Sequence, residues 1–314
     1  MPTSSNSEIS YIENDSLRSR YPWLAEPALR VVEETTSVRL EFMEEDRWVG
    51  YPVANALLDR MTEMKSSPRV TRPDCLLLTG ATNNGKTFIL KRFLHLNRPY
   101  IRPDGSVEHP VLMIQAPSKV DEKRFYAKIL RKLGAVGSTA PSADALEHSV
   151  ETNLRRSGTR ILLIDEFQHF TAGSTNRHVE NLQAIKCLTN ELSLPIVGAG
   201  LPGARHSLHF DPQLENRFIQ VSLPLLKSSP EFAILVMKFV ATLPLRMEMP
   251  VAERIPVCKR LAVLCEGKIG EMHRLLREMA KIAIRSGDDL ITFDRLKAVE
   301  NLSPLLRMTR VKNV

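Results

Sequence analysis

The stretch GATNNGKT, Gly80 to Thr87, lies between the apolar run CLLLT (Cys75–Thr79) and the helical pattern FILKRFLHL. Its spacing is G-x-x-x-x-G-K-[ST], the loop that joins a buried strand to a helix and cradles phosphates. The glycines at 80 and 85 let the backbone turn so that successive N–H groups point inward. Lys86 is placed to reach the β and γ phosphates, the Thr87 hydroxyl to ligate magnesium, and the following helix adds its positive end. A nucleoside triphosphate with magnesium is therefore expected. The contact residues are Gly80, Ala81, Thr82, Asn83, Asn84, Gly85, Lys86, Thr87 and Phe88.

A second strand-like run, RILLIDEFQHF (Arg160–Phe170), carries four aliphatics into two carboxylates. In an open α/β sheet the strand ends bind ligands, so Asp165 and Glu166 are expected beside the phosphate loop. Asp165 is assigned to magnesium and Glu166 to polarising the attacking water. Arg217, in DPQLENRF, is the third catalytic candidate: such an Arg-Phe pair at a subunit edge can reach a neighbour's γ-phosphate. Its alternative is a surface arginine paired with Glu215 or Asp211.

VLMIQA (Val111–Ala116) and PIVGAG (Pro195–Gly200) read as further buried strands, alternating with helical patterns. The alternation predicts a central parallel sheet flanked by helices, and from about Pro224 onward only helices follow. The expected divisions are a flexible tail at 1–20, a helical segment at 21–70 packing on the core, an α/β core at 71–223, a small helical lid at 224–300 and a basic tail at 301–314. A chain of 314 residues with 43% hydrophobic and 25% charged residues is globular rather than disordered. Its four cysteines form no C-x-x-C pair, which argues against a zinc or disulfide framework. His169 and His178 flank a loop with no accompanying cysteine, so no metal site is assigned to them. With no apolar core for a signal peptide and no run long enough to span a bilayer, a cytoplasmic protein without a membrane partner is expected.

The chain also resembles the AAA+ ATPases and, more narrowly, the TniB/TnsC ATP-dependent regulators of transposition. The residues that carry this are DRWVGYP (Asp46–Pro52), NNGKT, LLIDEFQHFTAGS, LTNELSLPIVGAG and DPQLENRF, spread over most of Val38–Lys281. The resemblance implies an AAA+ core with a helical lid. It further implies ATP binding and hydrolysis, self-assembly as a ring or filament on DNA, and recruitment of a transposase to a target, with the transposase and a target-selection adaptor protein as partners. By the same resemblance DRWVGYP lies where the adenine pocket forms, which nominates Trp48, Val49 and Tyr51; a packed aromatic cluster is the other reading. Two positions depart from the general AAA+ pattern. Gly200 stands where many members carry a polar γ-phosphate sensor, and Gly270 where many carry a sensing arginine, with Arg274 one turn later. Both departures suit a slow, assembly-dependent switch.

A net charge of +7 fits a polyanionic partner or a solvated basic surface. The best DNA-contact cluster is Lys119, Lys123, Arg124 and Lys128, with Arg131 and Lys132 beyond it, tracking phosphates of double-stranded DNA without reading sequence. The solvated face of an amphipathic helix is the alternative. Three other readings stay open on the residues: an AAA+ helicase loader, a small-molecule kinase sharing the loop, and a module that holds ATP without hydrolysing it.

Overall fold

The computed structural model describes residues 16–118, 121–135, 142–171, 175–209 and 211–304, and over 171 and 175–181 the backbone alone. The expectations for Lys119, for the His178 side chain and for both tails beyond these bounds lie outside the described residues. The chain divides into two compact units, Gly50–Pro224 and a second that joins residues 1–49 to Leu225–Val314.

In the first unit, strands β1 (Cys75–Thr79), β2 (Val111–Gln115), β3 (Ile161–Asp165), β4 (Ile196–Gly200) and β5 (Phe218–Ser222) form one sheet in the order β2-β3-β4-β1-β5. Every pairing is parallel. β1, β3 and β4 are buried at all five positions, as continuous aliphatic runs in a sheet covered on both faces require. β5 is an additional strand: FIQVS buries only Phe218, so at the edge of the sheet it lacks the apolar run that marks the other four. The third strand ends at Asp165, and Phe167–Thr171 turns into a 3₁₀ helix. The connection before β2 contains a two-residue hairpin, Tyr100–Ile101 with Val107–Glu108.

Helices α2 (Pro52–Ser66), α3 (Lys86–Leu96), α4 (Glu122–Lys132), α5 (Ala143–Arg156) and α6 (Thr175–Glu191) belong to this unit. α4 buries Phe125, Tyr126, Ile129 and Leu130 and starts at an Asp121 cap that accepts the Arg124 N–H at 2.8 Å. Ser142 caps α5 in the same way, accepting from Ala145 N at 3.2 Å. Glycine in β4 has a steric cause: a Cβ at Gly198 would stand 2.5 Å from the ring of Phe167, which the 3₁₀ turn lays over the strand.

The second unit is helical: α1 (Thr36–Phe42), α7 (Pro230–Val240), α8 (Val251–Leu264), α9 (Ile269–Ser286) and α10 (Phe293–Val299). The segment expected at 21–70 is divided between the two units. Residues 50–70 go with the core unit; the stretch up to Val49 goes with the C-terminal helices. Ala25 N donates to Ala241 O at 2.7 Å, and Tyr21, Leu24, Ala28, Leu29 and Val32 form a buried cluster. Arg39 is 2% exposed; its Nε and Nη2 donate to Pro244 O at 2.9 and 2.6 Å, and Nη2 pairs with Asp289 at 2.5 Å. α9 buries Met272, Leu275, Leu276, Met279 and Ala283 at helical spacing and ends on Gly287 at φ 81°, the left-handed cap that glycine adopts without strain.

His273, on α9, packs against the Phe239 ring at 5.2 Å. Burial pushes its pKa from 6.5 down to about 4, with Arg277 and Arg47 acting the same way and Asp46 opposing. Between these two values the unfolded chain binds a proton that the folded chain does not. Stability should therefore fall as pH drops through that window, by about 1–3 kcal/mol from this group. Urea denaturation at pH 7 and at pH 4.5, followed by tryptophan fluorescence, should show His273→Gln losing less stability on acidification than wild type; parallel losses would refute this. No helix among the described residues is long and apolar enough to cross a membrane.

Candidate active site

The phosphate loop leaves the C-terminal end of β1. Asn83 and Gly85 both take positive φ, 60° and 86°, and so produce the turns that aim main-chain N–H groups into the loop. Asparagine is among the few residues that tolerate this region with a side chain. Gly80 is hemmed in: a Cβ there would meet Leu223 Cβ at 3.2 Å, while its N–H donates to Gly200 O at 3.2 Å. Thr82 and Asn83 are exposed, Ala81, Thr87 and Phe88 partly so. Asn84 is only 3% exposed, and its amide donates to the carbonyls of Leu223 and Pro224 at 3.3 and 3.2 Å. These bonds fasten the loop to the end of β5, so Asn84 acts here as an anchor.

Lys86 opens α3, and its Nζ lies 2.8 and 2.7 Å from the carbonyls of Gly80 and Ala81. Burial lowers its pKa, while the charges of Glu166 and Asp165 resist the loss of its proton. The Thr87 hydroxyl donates to Asp165 Oδ2 at 2.8 Å. Residues 78 positions apart thus meet as a hydroxyl and a carboxylate, the hard oxygen donors that suit magnesium.

Glu166 follows with φ 55°, a left-handed backbone unusual for this residue type, and its N–H donates to Asp165 Oδ1 at 3.0 Å. Backbone strain of this kind, roughly 1–2 kcal/mol, concentrates at functional sites. The Glu166 carboxylate accepts from Gln168 Nε2, and Gln168 Oε1 accepts from Leu201 N at 3.0 Å. A Cβ on Gly200 would lie 2.7 Å from that same Oε1. Gly200 therefore does more than lack a polar side chain: its bareness admits the amide of Gln168, which puts a polar group at that strand end from another element.

Arg205 was also missed from the sequence. Its Nη2 donates to Thr79 Oγ1 at 3.2 Å, one residue before the loop, and its Nε is buried without a partner. An arginine in the sequence stretch PGARHSL carries no spacing signal, and only the packing of the turn after β4 brings it there.

Arg217 lies at the other end of the sheet. Its carbonyl accepts from Cys75 N at 2.8 Å, at the start of β1, and its Nη1 donates to Thr189 Oγ1 at 2.9 Å. Neither Asp211 nor Glu215 takes it: Asp211 pairs with Lys186 at 3.1 Å and Glu215 with His209 at 2.6 Å. The five residues of β1 separate Arg217 from the loop of its own chain, roughly 16 Å at about 3.3 Å per residue. Trp48 and Val49 fall in the helical unit and Tyr51 in the core unit, all partly exposed. Burial raises the Tyr51 pKa to about 12. Arg274 is held inside the helical unit, by Glu271 at 3.1 Å and by Leu302 O.

On α4, Arg124, Lys128 and Arg131 recur at one-turn spacing away from the buried face. Arg124 pairs with Asp121 at 3.0 Å and Lys128 donates to Gln115 O at 2.8 Å; Lys123, Arg124, Arg131 and Lys132 are exposed. His169 Nδ1 lies 3.3 Å from Ala116 O.

Comparison with known proteins agrees with this construction. A family model described as Bacterial TniB protein matches residues 39–228, more than half of the chain. No curated protein sequence matches. Among solved structures, the Aeropyrum pernix ORC2 protein in ADPNP–ADP complexes aligns over 83% of this chain and 72% of its own, at 16% identity and a TM-score of 0.58. The Aeropyrum pernix ORC1 protein in complex with DNA aligns over 82% and 68%, at 19% identity and 0.57. Cdc6p from Pyrobaculum aerophilum aligns over 80% and 67%, at 15% identity and 0.53. At such identities the likeness speaks for the fold, a P-loop AAA+ core followed by helices. By the family match the chain belongs to the bacterial TniB family.

Proposed function

We propose that this chain is a magnesium-dependent ATPase that assembles on double-stranded DNA and, in its nucleotide-bound form, recruits a transposase to the target. The observation that carries the reading is the 2.8 Å contact between Thr87 and Asp165, which joins the phosphate loop to the carboxylate strand. Lys86 and the loop N–H groups hold the phosphates, and Thr87 and Asp165 hold the metal. Magnesium, when bound, offsets negative charge on the phosphate oxygens. Glu166 accepts the proton of the attacking water, and Gln168 fixes where that carboxylate stands. Arg205 lies beside the loop and adds a positive charge next to Thr79.

Arg217 acts in trans in this reading, because its own loop is a strand length away. The basic stripe on α4 follows DNA phosphates, and the ORC1 relative solved with DNA supports that partner class. Assembly then couples hydrolysis to DNA occupancy, and membership in the TniB family supports a transposase and an adaptor as the partners recruited.

Phosphate release from mixed subunits tests the trans role. Arg217→Ala alone should lose at least about tenfold in rate, as removal of an arginine finger does. Lys86→Ala alone should be inactive. A mixture should regain activity, since a hybrid edge pairs an intact loop with an intact arginine. A mixture no faster than the Arg217→Ala protein alone would exclude the trans assignment.

A further inference from the structure

The stretch SPRVTRPD, residues 67–74 between α2 and β1, has no part in the nucleotide site, yet it walls a cavity of about 330 Å³. The lining includes Arg60, Arg69, Arg72 and Arg160, with Asp74 as its one acidic residue among the described residues. Asp74 immediately precedes β1, Arg160 precedes β3 and Pro195 precedes β4. The cavity therefore opens at the N-terminal end of the parallel sheet, whereas the phosphate loop sits at the C-terminal end. The two are separated by the length of β1.

The charge here is not balanced from within. Asp74 is taken by Arg60 at 2.9 Å, and Arg60 also meets Glu63 at 3.1 Å. Arg69 donates to the carbonyls of Leu192 and Thr159 at 2.7 and 3.0 Å. Arg160 donates to those of Lys65 and Ser67 at 3.4 and 2.6 Å. Each of these two guanidinium groups spends two of its five donors on main-chain oxygens that fix its orientation. The remaining donors stay available, and binding an anion would immobilise little that is not already held. Burial first, and after it the like charges of Arg160 and Arg155, lower the Arg69 pKa. Arg72 is exposed and adds a further positive charge at the same wall.

We propose that this cavity is a second anion site, which takes the phosphates of a nucleic-acid backbone or of a free polyphosphate. Guanidinium forks match phosphate oxygens in bidentate geometry, and several around one small cavity call for a ligand with closely spaced anionic oxygens. A volume at the small end of ligand pockets admits phosphate groups and leaves the bases of a duplex outside, so recognition here is independent of sequence. The site lies apart from the ATPase machinery and does not depend on it.

The test uses the full chain carrying Lys86→Ala, so that the phosphate loop contributes least. Inorganic triphosphate binding is measured by calorimetry, and binding of a fluorescent 20-base-pair duplex by anisotropy across a salt series. Arg72→Gln removes a charge that makes no hydrogen bond among the described residues, and Arg69→Gln removes a pinned one, with thermal melting as the check on folding. Each should weaken triphosphate binding about tenfold, the loss of a charge-assisted hydrogen bond. If the duplex is the ligand, the slope of log affinity against log salt should also shrink by about one. A triphosphate effect without a change in slope assigns the site to a free polyphosphate. Unchanged triphosphate binding in the Arg72→Gln protein and in a folded Arg69→Gln protein overturns the proposal, and so does polyglutamate binding as tightly as triphosphate. Neither arm requires assembly, so a chain that failed to assemble on DNA would leave this assignment standing.

Discussion

Glu166→Gln is expected to slow phosphate release by about 10²–10⁴-fold, the usual contribution of a positioned general base, while nucleotide binding stays within a few-fold of wild type. Glutamine keeps the shape of the side chain and can still meet Gln168, but it cannot take a proton from water. Lys86→Ala should behave differently and lose nucleotide affinity itself, because Nζ is the charge buried within the loop, 2.8 Å from Gly80 O. The two variants thus separate chemistry from binding. Single-turnover phosphate release beside fluorescent-nucleotide titration reads both. A Glu166→Gln protein that kept a tenth or more of the rate would move the base to another group.

The second large effect concerns the helical unit. Arg39→Met should destabilise it by about 3–5 kcal/mol, because Asp289 would be left charged and buried with its side chain 5% exposed. The Pro244 carbonyl would lose its guanidinium donors as well. Pairing Arg39→Met with Asp289→Asn should recover a substantial part, since asparagine removes the stranded charge and tolerates the φ of 54° at this position. Urea unfolding followed by tryptophan fluorescence reports on this unit, as both tryptophans, Trp23 and Trp48, lie in it. Equal losses for the single and double variants would show that the buried charge is not the cause.

That ion pair also marks where sequence reading stopped. Arg39 and Asp289 are 250 residues apart, and nothing local in VRLEF announces a partner in the C-terminal helices. The helical pattern of residues 21–49 was legible; the unit it joins was decided by long-range packing. The buried strands were legible because CLLLT, VLMIQ, ILLID and IVGAG are apolar runs that only a covered sheet requires. FIQVS was not, since at its edge of the sheet this strand buries only Phe218 and needs no such run. Lys86, Thr87, Asp165 and Glu166 could be named from spacing because the loop and the strand end are rigid, local devices. Gln168 and Arg205 could not. Each reaches the site through a turn whose path is set by tertiary packing, and Gly200 read as a deficit until the amide that fills its place was seen.

Nucleotide at the Lys86–Asp165 site is expected to gate assembly on DNA. Sedimentation of the protein with double-stranded DNA, with and without magnesium and ATP, tests it most directly. Rapidly sedimenting complexes are expected for wild type only when both are present, and none for Lys86→Ala. Complexes that form equally well without nucleotide, or with Lys86→Ala, would contradict it.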